Sequence, residues 1–112
     1  MSRDATILLD IARAANLILE FREGIDEATF ARDFKTQSAI VHQLMVMWEA
    51  VKRLSPDFRA SHSEILWGLI AGMRDKLIHA YDIVDLDEVW KTATVDAPDL
   101  LSLIEPLLPK QG

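Results

Sequence analysis

The sequence predicts an all-α protein, an antiparallel bundle of four to five helices. Apolar residues recur at helical spacing in several long segments. No segment alternates strictly between apolar and polar, and no Asn-Gly or Asp-Gly hairpin turn occurs. Gly24, Pro56 and Pro106 fall where helices are expected to stop.

In chain order, the first helix is expected from about Asp4 to Arg22, because Leu8, Ile11, Ala15 and Ile18 share one face and Gly24 is a natural stop. A short turn or helix follows around Asp26 to Phe34. The long second helix carries Ile40, Leu44, Met47, Val51 and Leu54 on one face, with Val41 and Trp48 beside it. So wide a stripe predicts burial over much of its circumference. It ends at Ser55-Pro56, since proline disfavours the helical conformation in the residue before it. Ser61-His62-Ser63-Glu64 has the pattern of a capping box and predicts the start of the third helix. Leu66, Leu69, Ile70, Met73 and Leu77 mark its expected buried face. Asp85-Leu86-Asp87-Glu88 reads as the cap and acidic first turn of a fourth helix. A last helix is expected from about Pro98 to Glu105-Pro106.

A chain of 112 residues is expected to form a single domain, here 1–112, with a real but small core. Without cysteine, disulfides, thiolate metal sites and cysteine nucleophiles are excluded, which fits a cytoplasmic protein. No signal peptide is expected, because Asp4 and Asp10 interrupt the N-terminus. The longest stretch without formal charge, Thr36 to Trp48, is too short to cross a membrane. Eighteen acids against twelve bases give a net charge of −6, which argues against general nucleic-acid binding but leaves room for a local basic cleft.

Familiar catalytic signatures are missing. There is no glycine-rich phosphate loop and no dinucleotide fingerprint. No His-Glu-x-x-His occurs, and no histidine has a glutamate three residues before it, so the helical di-metal motif is absent. What remains is Arg74-Asp75-Lys76-Leu77-Ile78-His79-Ala80-Tyr81. The Arg74 guanidinium is a permanently charged fork suited to phosphate oxygens. His79 titrates near neutral pH and can act as general base or acid. Together they suffice to cleave RNA without a metal: the imidazole takes the proton of the ribose 2′-hydroxyl, and the guanidinium stabilises charge growing on the phosphate. On an uninterrupted helix, residues five apart point roughly 140° away from each other. Arg74 and His79 would then converge only through a helix distortion, or in a cleft shared by two symmetric copies. Asp75 and His79, four apart, would share a face, so Asp75 could fix the tautomer of the imidazole. The bland alternative is a capped helix end with a solvated arginine.

The segment Gly72 to Tyr81, followed by Val84-Asp85-Leu86-Asp87-Glu88-Val89-Trp90, resembles the HepT family of HEPN-domain proteins. The upstream Glu49-Ala50-Val51-Lys52-Arg53-Leu54-Ser55 is similar as well, and the resemblance extends over most of the chain. It implies a helical-bundle homodimer acting as an endoribonuclease toxin of a type VII toxin–antitoxin pair, with no cofactor. It assigns catalysis to Arg74 and His79, with Asp75 as the polar residue after the arginine. It also implies a partner, a minimal nucleotidyltransferase antitoxin that silences the toxin by transferring AMP to Tyr81. A second function class stays open: a catalytically silent HEPN scaffold that binds such a nucleotidyltransferase or a nucleotide.

Other residues invite weaker readings. Glu49 is either part of a cleft or a solvated helix residue. His42 and His62 are expected to be structural or exposed. Trp67 and Trp90 are expected in the core, and Trp48 either in the core or at an interface.

Overall fold

A computed structural model describes residues 2–80 and 83–109, with the backbone alone at Lys76, Ile78, His79, Ala80 and Ile83. Helix α1 (Arg3–Arg22) starts where Ser2 caps it, its hydroxyl accepting from the Ala5 N–H at 3.1 Å. The chain leaves α1 through Gly24, whose φ of 77° is a left-handed conformation that glycine adopts without a Cβ clash. A single turn, α2 (Glu27–Phe30), leads into the long α3 (Phe34–Arg53). Ser55 caps the short α4 (Pro56–Ser61), with proline in the first turn, where its missing N–H costs nothing.

Helices α1 and α3 pack along their lengths. Small residues Ala12, Ala14, Ala15 and Ala50 are buried there, which lets the two backbones approach. The two run antiparallel: the Asp4 carboxylate at the start of α1 accepts from the Ser55 N–H at 2.8 Å and the Ser55 hydroxyl at 2.7 Å, beyond the end of α3. Ile11, Ile18, Ile40, Leu44 and Val51 are fully enclosed between these elements. Trp48 is core and not an interface residue, at 1% exposure, although its indole N–H meets no acceptor among the described residues. Trp67 is also buried, and Trp90 is partly buried against Phe30, ring centroids 5.2 Å apart.

The third long helix, α5 (Trp67–Leu77), starts later than the sequence suggests. Ser61 does not open it. That serine ends α4, and His62 to Leu66 form a connecting turn. The competing local order is the Ser55-Pro56 start, which begins a helix of its own, and the Phe58 ring, which lies 4.6 Å from that of His62. The Trp67 indole N–H then donates to the His62 carbonyl at 3.1 Å and fixes the new helix start.

Helix α5 ends at Leu77, and the chain enters a two-stranded antiparallel ribbon, β1 (Ile78–Ala80) and β2 (Ile83–Val84). The all-α class stands, but the expectation that Arg74 to His79 lie together on one helix is corrected: His79 is on β1. β-branched Ile78, Ile83 and Val84 favour the extended chain, and the Asp85 N–H donates to the Leu77 carbonyl at 2.8 Å, closing the ribbon onto the helix end.

Asp85 caps α6 (Leu86–Lys91) as expected, accepting from the Glu88 N–H at 3.2 Å. The fourth and last helices are one rod. A π turn at Thr92–Asp96 joins α6 to α7 (Ala97–Ile104), which begins beside Pro98, where the sequence places its last helix. Proline has no N–H to offer the carbonyl four residues back and its ring crowds that carbonyl. One wide turn absorbs both defects: the Ala97 N–H bonds to the Thr92 carbonyl, and the Thr94 hydroxyl donates to the Trp90 carbonyl at 2.7 Å. The rod closes in a 3₁₀ turn at Glu105–Leu107, where the sequence places its stop. Among the described residues no helix is long and apolar enough to cross a membrane.

Candidate ribonuclease site

The candidate residues sit where α5 runs out. Leu77, only 1% exposed, anchors the last turn in the core. One turn before it, Arg74 is half-exposed, its side chain 41% accessible. Its Nη1 lies 3.5 Å from Asp75 Oδ1, at the outer limit of a hydrogen bond. Asp75 is 89% exposed and its described partner is this arginine. A guanidinium carries five donors, so one long contact to a solvated carboxylate leaves the fork able to receive an oxyanion. His79 follows on β1, with its imidazole outside the described atoms, and Tyr81 lies outside the described residues. The structure thus brings Arg74 and Asp75 together and sets the His79 backbone just past the helix end.

Glu49 stands apart from this end of α5. It is exposed on α3, 3.6 Å from Lys52 Nζ, and lines a groove between α1 and α3 with Asp10, Arg13 and Arg53. His62 is partly covered, its ring tilted against Phe58 and its Nδ1 3.7 Å from Glu64. His42 is exposed on α3. No group of three or more His, Asp or Glu residues converges as metal ligands among the described residues.

One feature runs against the sequence pattern. Of the apolar stripe expected to be buried on the third helix, Leu66, just before α5, and Leu69 are each 64% exposed, and Ile70 and Met73 only half-buried. Helix α5 rests on α3 and diverges from α7, leaving an open groove floored by Met47, with Leu103 on its far wall. Periodicity identifies an apolar face but cannot tell whether its own chain covers it.

Residues 11–107 match the family described as ribonuclease HepT-like. The chain belongs to the HepT-like ribonuclease family. A Thermococcus cleftensis protein provisionally named ribonuclease HepT is 46% identical over 100 residues, spanning 89% of this chain and 91% of that one. A protein of Caldanaerobacter subterraneus subsp. tengcongensis, provisionally named an RNase, is 37% identical over 90% of both chains. A Methanocaldococcus jannaschii relative with the same kind of name is 35% identical, over 90% of this chain and 87% of its own. No solved structure matches the chain significantly. Membership in the HepT-like family agrees with the resemblance carried by Gly72 to Trp90, and RNA cleavage is the activity for which the family is named.

Proposed function

We propose that this HepT-like chain is a metal-independent endoribonuclease that works through Arg74 and His79. The observation that carries the reading is the state of Arg74: half-exposed, held by one 3.5 Å contact, and five residues before the only histidine near it in sequence, in a chain of a ribonuclease family. In the step, His79 accepts the proton of a ribose 2′-hydroxyl as O2′ attacks the neighbouring phosphorus. The P–O5′ bond breaks, the departing 5′-oxygen takes up a proton, and a 2′,3′-cyclic phosphate remains. Arg74 stabilises the charge on the phosphate oxygens. Asp75, 3.5 Å from Arg74, orients the guanidinium; with His79 on β1 the helical spacing that would have set it against the imidazole no longer applies. The test is cleavage of cellular RNA by pure protein in EDTA. His79→Ala is expected to lower the rate roughly 10²–10⁴-fold, the range for a lost general acid–base group, and Arg74→Ala by a similar factor. Wild type inert on all RNA, free of any partner, overturns the reading.

The assembly belongs to the same proposal. Two copies form a symmetric homodimer, and the unpartnered strip of Leu66, Leu69, Ile70 and Met73 beside Arg74 supports it, since a two-fold contact needs one self-complementary apolar patch. Control is by a nucleotidyltransferase antitoxin that transfers AMP to the Tyr81 hydroxyl, as in a type VII toxin–antitoxin pair. The tethered phosphate would compete for Arg74 as an RNA phosphate does, and the adenosine would block access. Intact mass after incubation with the antitoxin, ATP and magnesium decides this: AMP added to wild type and absent from Tyr81→Phe is expected, and undiminished addition to Tyr81→Phe places the acceptor elsewhere. The net charge of −6 favours a second reading, the silent scaffold, which predicts binding of the nucleotidyltransferase without RNA cleavage.

A further inference from the structure

Among the described Phe and Trp residues Phe34 alone is exposed, 77% accessible at the first position of α3. Every other described Phe and Trp is buried or partly buried. Exposed Arg32 and Lys35 flank it, and neither makes an ion pair within 4 Å among the described residues.

The turn that presents Phe34 is tightly held. Asp33 accepts from the Thr36 N–H at 3.1 Å and from the Thr36 hydroxyl at 2.6 Å, and the Gln37 side-chain amide donates to the Phe30 carbonyl at 2.8 Å. Two acids of this region, Asp26 and Asp33, are engaged as helix caps. The hydroxyl and N–H of Thr36 hold the Asp33 carboxyl below its usual pKa, and the Thr29 N–H does the same for Asp26. The charges of Arg32 and Lys35 act on these carboxylates too, Arg32 on Asp26 and Lys35 on Asp33, and both bases stay exposed, with Glu27 the third acid of the turn. The turn also sits at the end of the bundle where α5 runs out. Phe30 packs on Trp90 of α6, and the cap of α6, Asp85, is hydrogen-bonded to Leu77.

We propose that Arg32, Phe34 and Lys35 form a subsite for single-stranded RNA, in which one base stacks on Phe34 while the adjacent phosphates meet Arg32 and Lys35. It rests on the ribonuclease reading and extends it to how the substrate is held away from the scissile bond. An exposed ring on a rigid turn, flanked by cations, is the arrangement by which single strands are bound without sequence readout. The two phosphate contacts are local and do not require a basic protein.

The experiment measures binding apart from cleavage. The probe is a fluorescein-labelled, fully 2′-O-methylated 12-mer, which cannot undergo 2′-hydroxyl attack, followed by fluorescence anisotropy. Phe34→Ala is expected to weaken binding about five- to tenfold, the lower part of the range for one stacked base. Phe34→Trp should restore it. Arg32→Ala/Lys35→Ala should make the slope of log K against log salt shallower by about 1.4, two single-strand phosphate contacts at about 0.7 each. Phe34 is exposed, so circular dichroism should stay unchanged in all three. Equal affinity of Phe34→Ala and wild type overturns the proposal, as does no binding by wild type or a loss that Phe34→Trp does not restore. A wild type that cleaves RNA while Phe34→Ala binds normally sinks only the subsite. A wild type that binds through Phe34 yet cleaves nothing sinks only the nuclease reading.

Discussion

Replacing Gly68 and Gly72 by alanine should raise the thermal stability of the protomer. Both lie exposed on α5, one turn apart, and neither has a positive φ. A Cβ built at either position meets nothing within 4 Å. The substitution therefore adds no clash and removes the conformational freedom that glycine loses on entering a helix. Glycine costs about 0.8–1.0 kcal/mol relative to alanine in a helix interior. Gly72 is mid-helix and Gly68 is only the second residue of α5, so the double variant should gain between about 0.8 and 1.6 kcal/mol. For a chain of this size that corresponds to a rise in Tm of roughly 3–7 °C. The assay is calorimetry over a hundredfold range of protein concentration, with RNA cleavage followed in parallel. A Tm that falls at every concentration refutes the reasoning, because it means a methyl group at one of these positions meets atoms of its own chain. A gain confined to dilute protein means a second copy closes on the glycine face.

Other substitutions test other levels of the structure. Leu44 is fully enclosed, so Leu44→Ala should cost about 2–5 kcal/mol, read from urea denaturation. Leu69 is 64% exposed, so Leu69→Lys should leave the helical spectrum intact while converting a dimer to a monomer in sedimentation; a variant that stays dimeric moves the interface elsewhere. Asp4→Asn probes the clamp between α1 and α4. The Ser55 N–H, then the Ser55 hydroxyl, hold the Asp4 carboxyl below its ordinary value, so its contribution is present above the unfolded pKa and lost as pH falls through the folded one. The stability gap between wild type and Asp4→Asn should thus be full at pH 7 and close in acid; a gap unchanged at the lowest pH where both remain folded contradicts this.

Legibility from sequence differed between elements for identifiable reasons. The spans of α1 and α3, the stop at Gly24 and the Asp85 cap were readable because each depends on local chemistry: a cap, a left-handed glycine, or a proline. The Ser61–Glu64 box misled because the same motif chemistry was available at Ser55, six residues earlier, and Ser61 had already been drawn into α4. Pro98 marked the start of α7 correctly, because proline suits a first helical turn, but nothing local showed that a π turn would join that helix to α6. The stripe on α5 shows a different limit. Period 3.6 identifies Leu66 and Leu69 as an apolar face, but exposure depends on where α7 lies, which no local pattern encodes. The same holds for Phe34, whose 77% exposure no local pattern encodes.

The ribbon after α5 also changes how the candidate reaction centre should be assembled. The 140° divergence between Arg74 and His79 holds only on an uninterrupted helix. Because the helix ends at Leu77, His79 is released from that constraint, and one protomer can form its own Arg74–His79 pair. The homodimer would then shape the cleft without exchanging catalytic groups across it. Mixing two inactive variants separates the two arrangements. Arg74→Ala and His79→Ala homodimers, unfolded together and refolded, re-form with about half of the dimers mixed, given two-fold pairing without preference. If each site uses residues of one chain, every site in the mixed dimer lacks one group, and activity stays at the level of the single variants. If a site takes Arg74 from one chain and His79 from the other, each mixed dimer holds one complete site, and about a quarter of wild-type activity returns. The expected result is no recovery. Recovery to about a quarter would show that the catalytic pair spans the two-fold axis despite the freedom the ribbon gives His79.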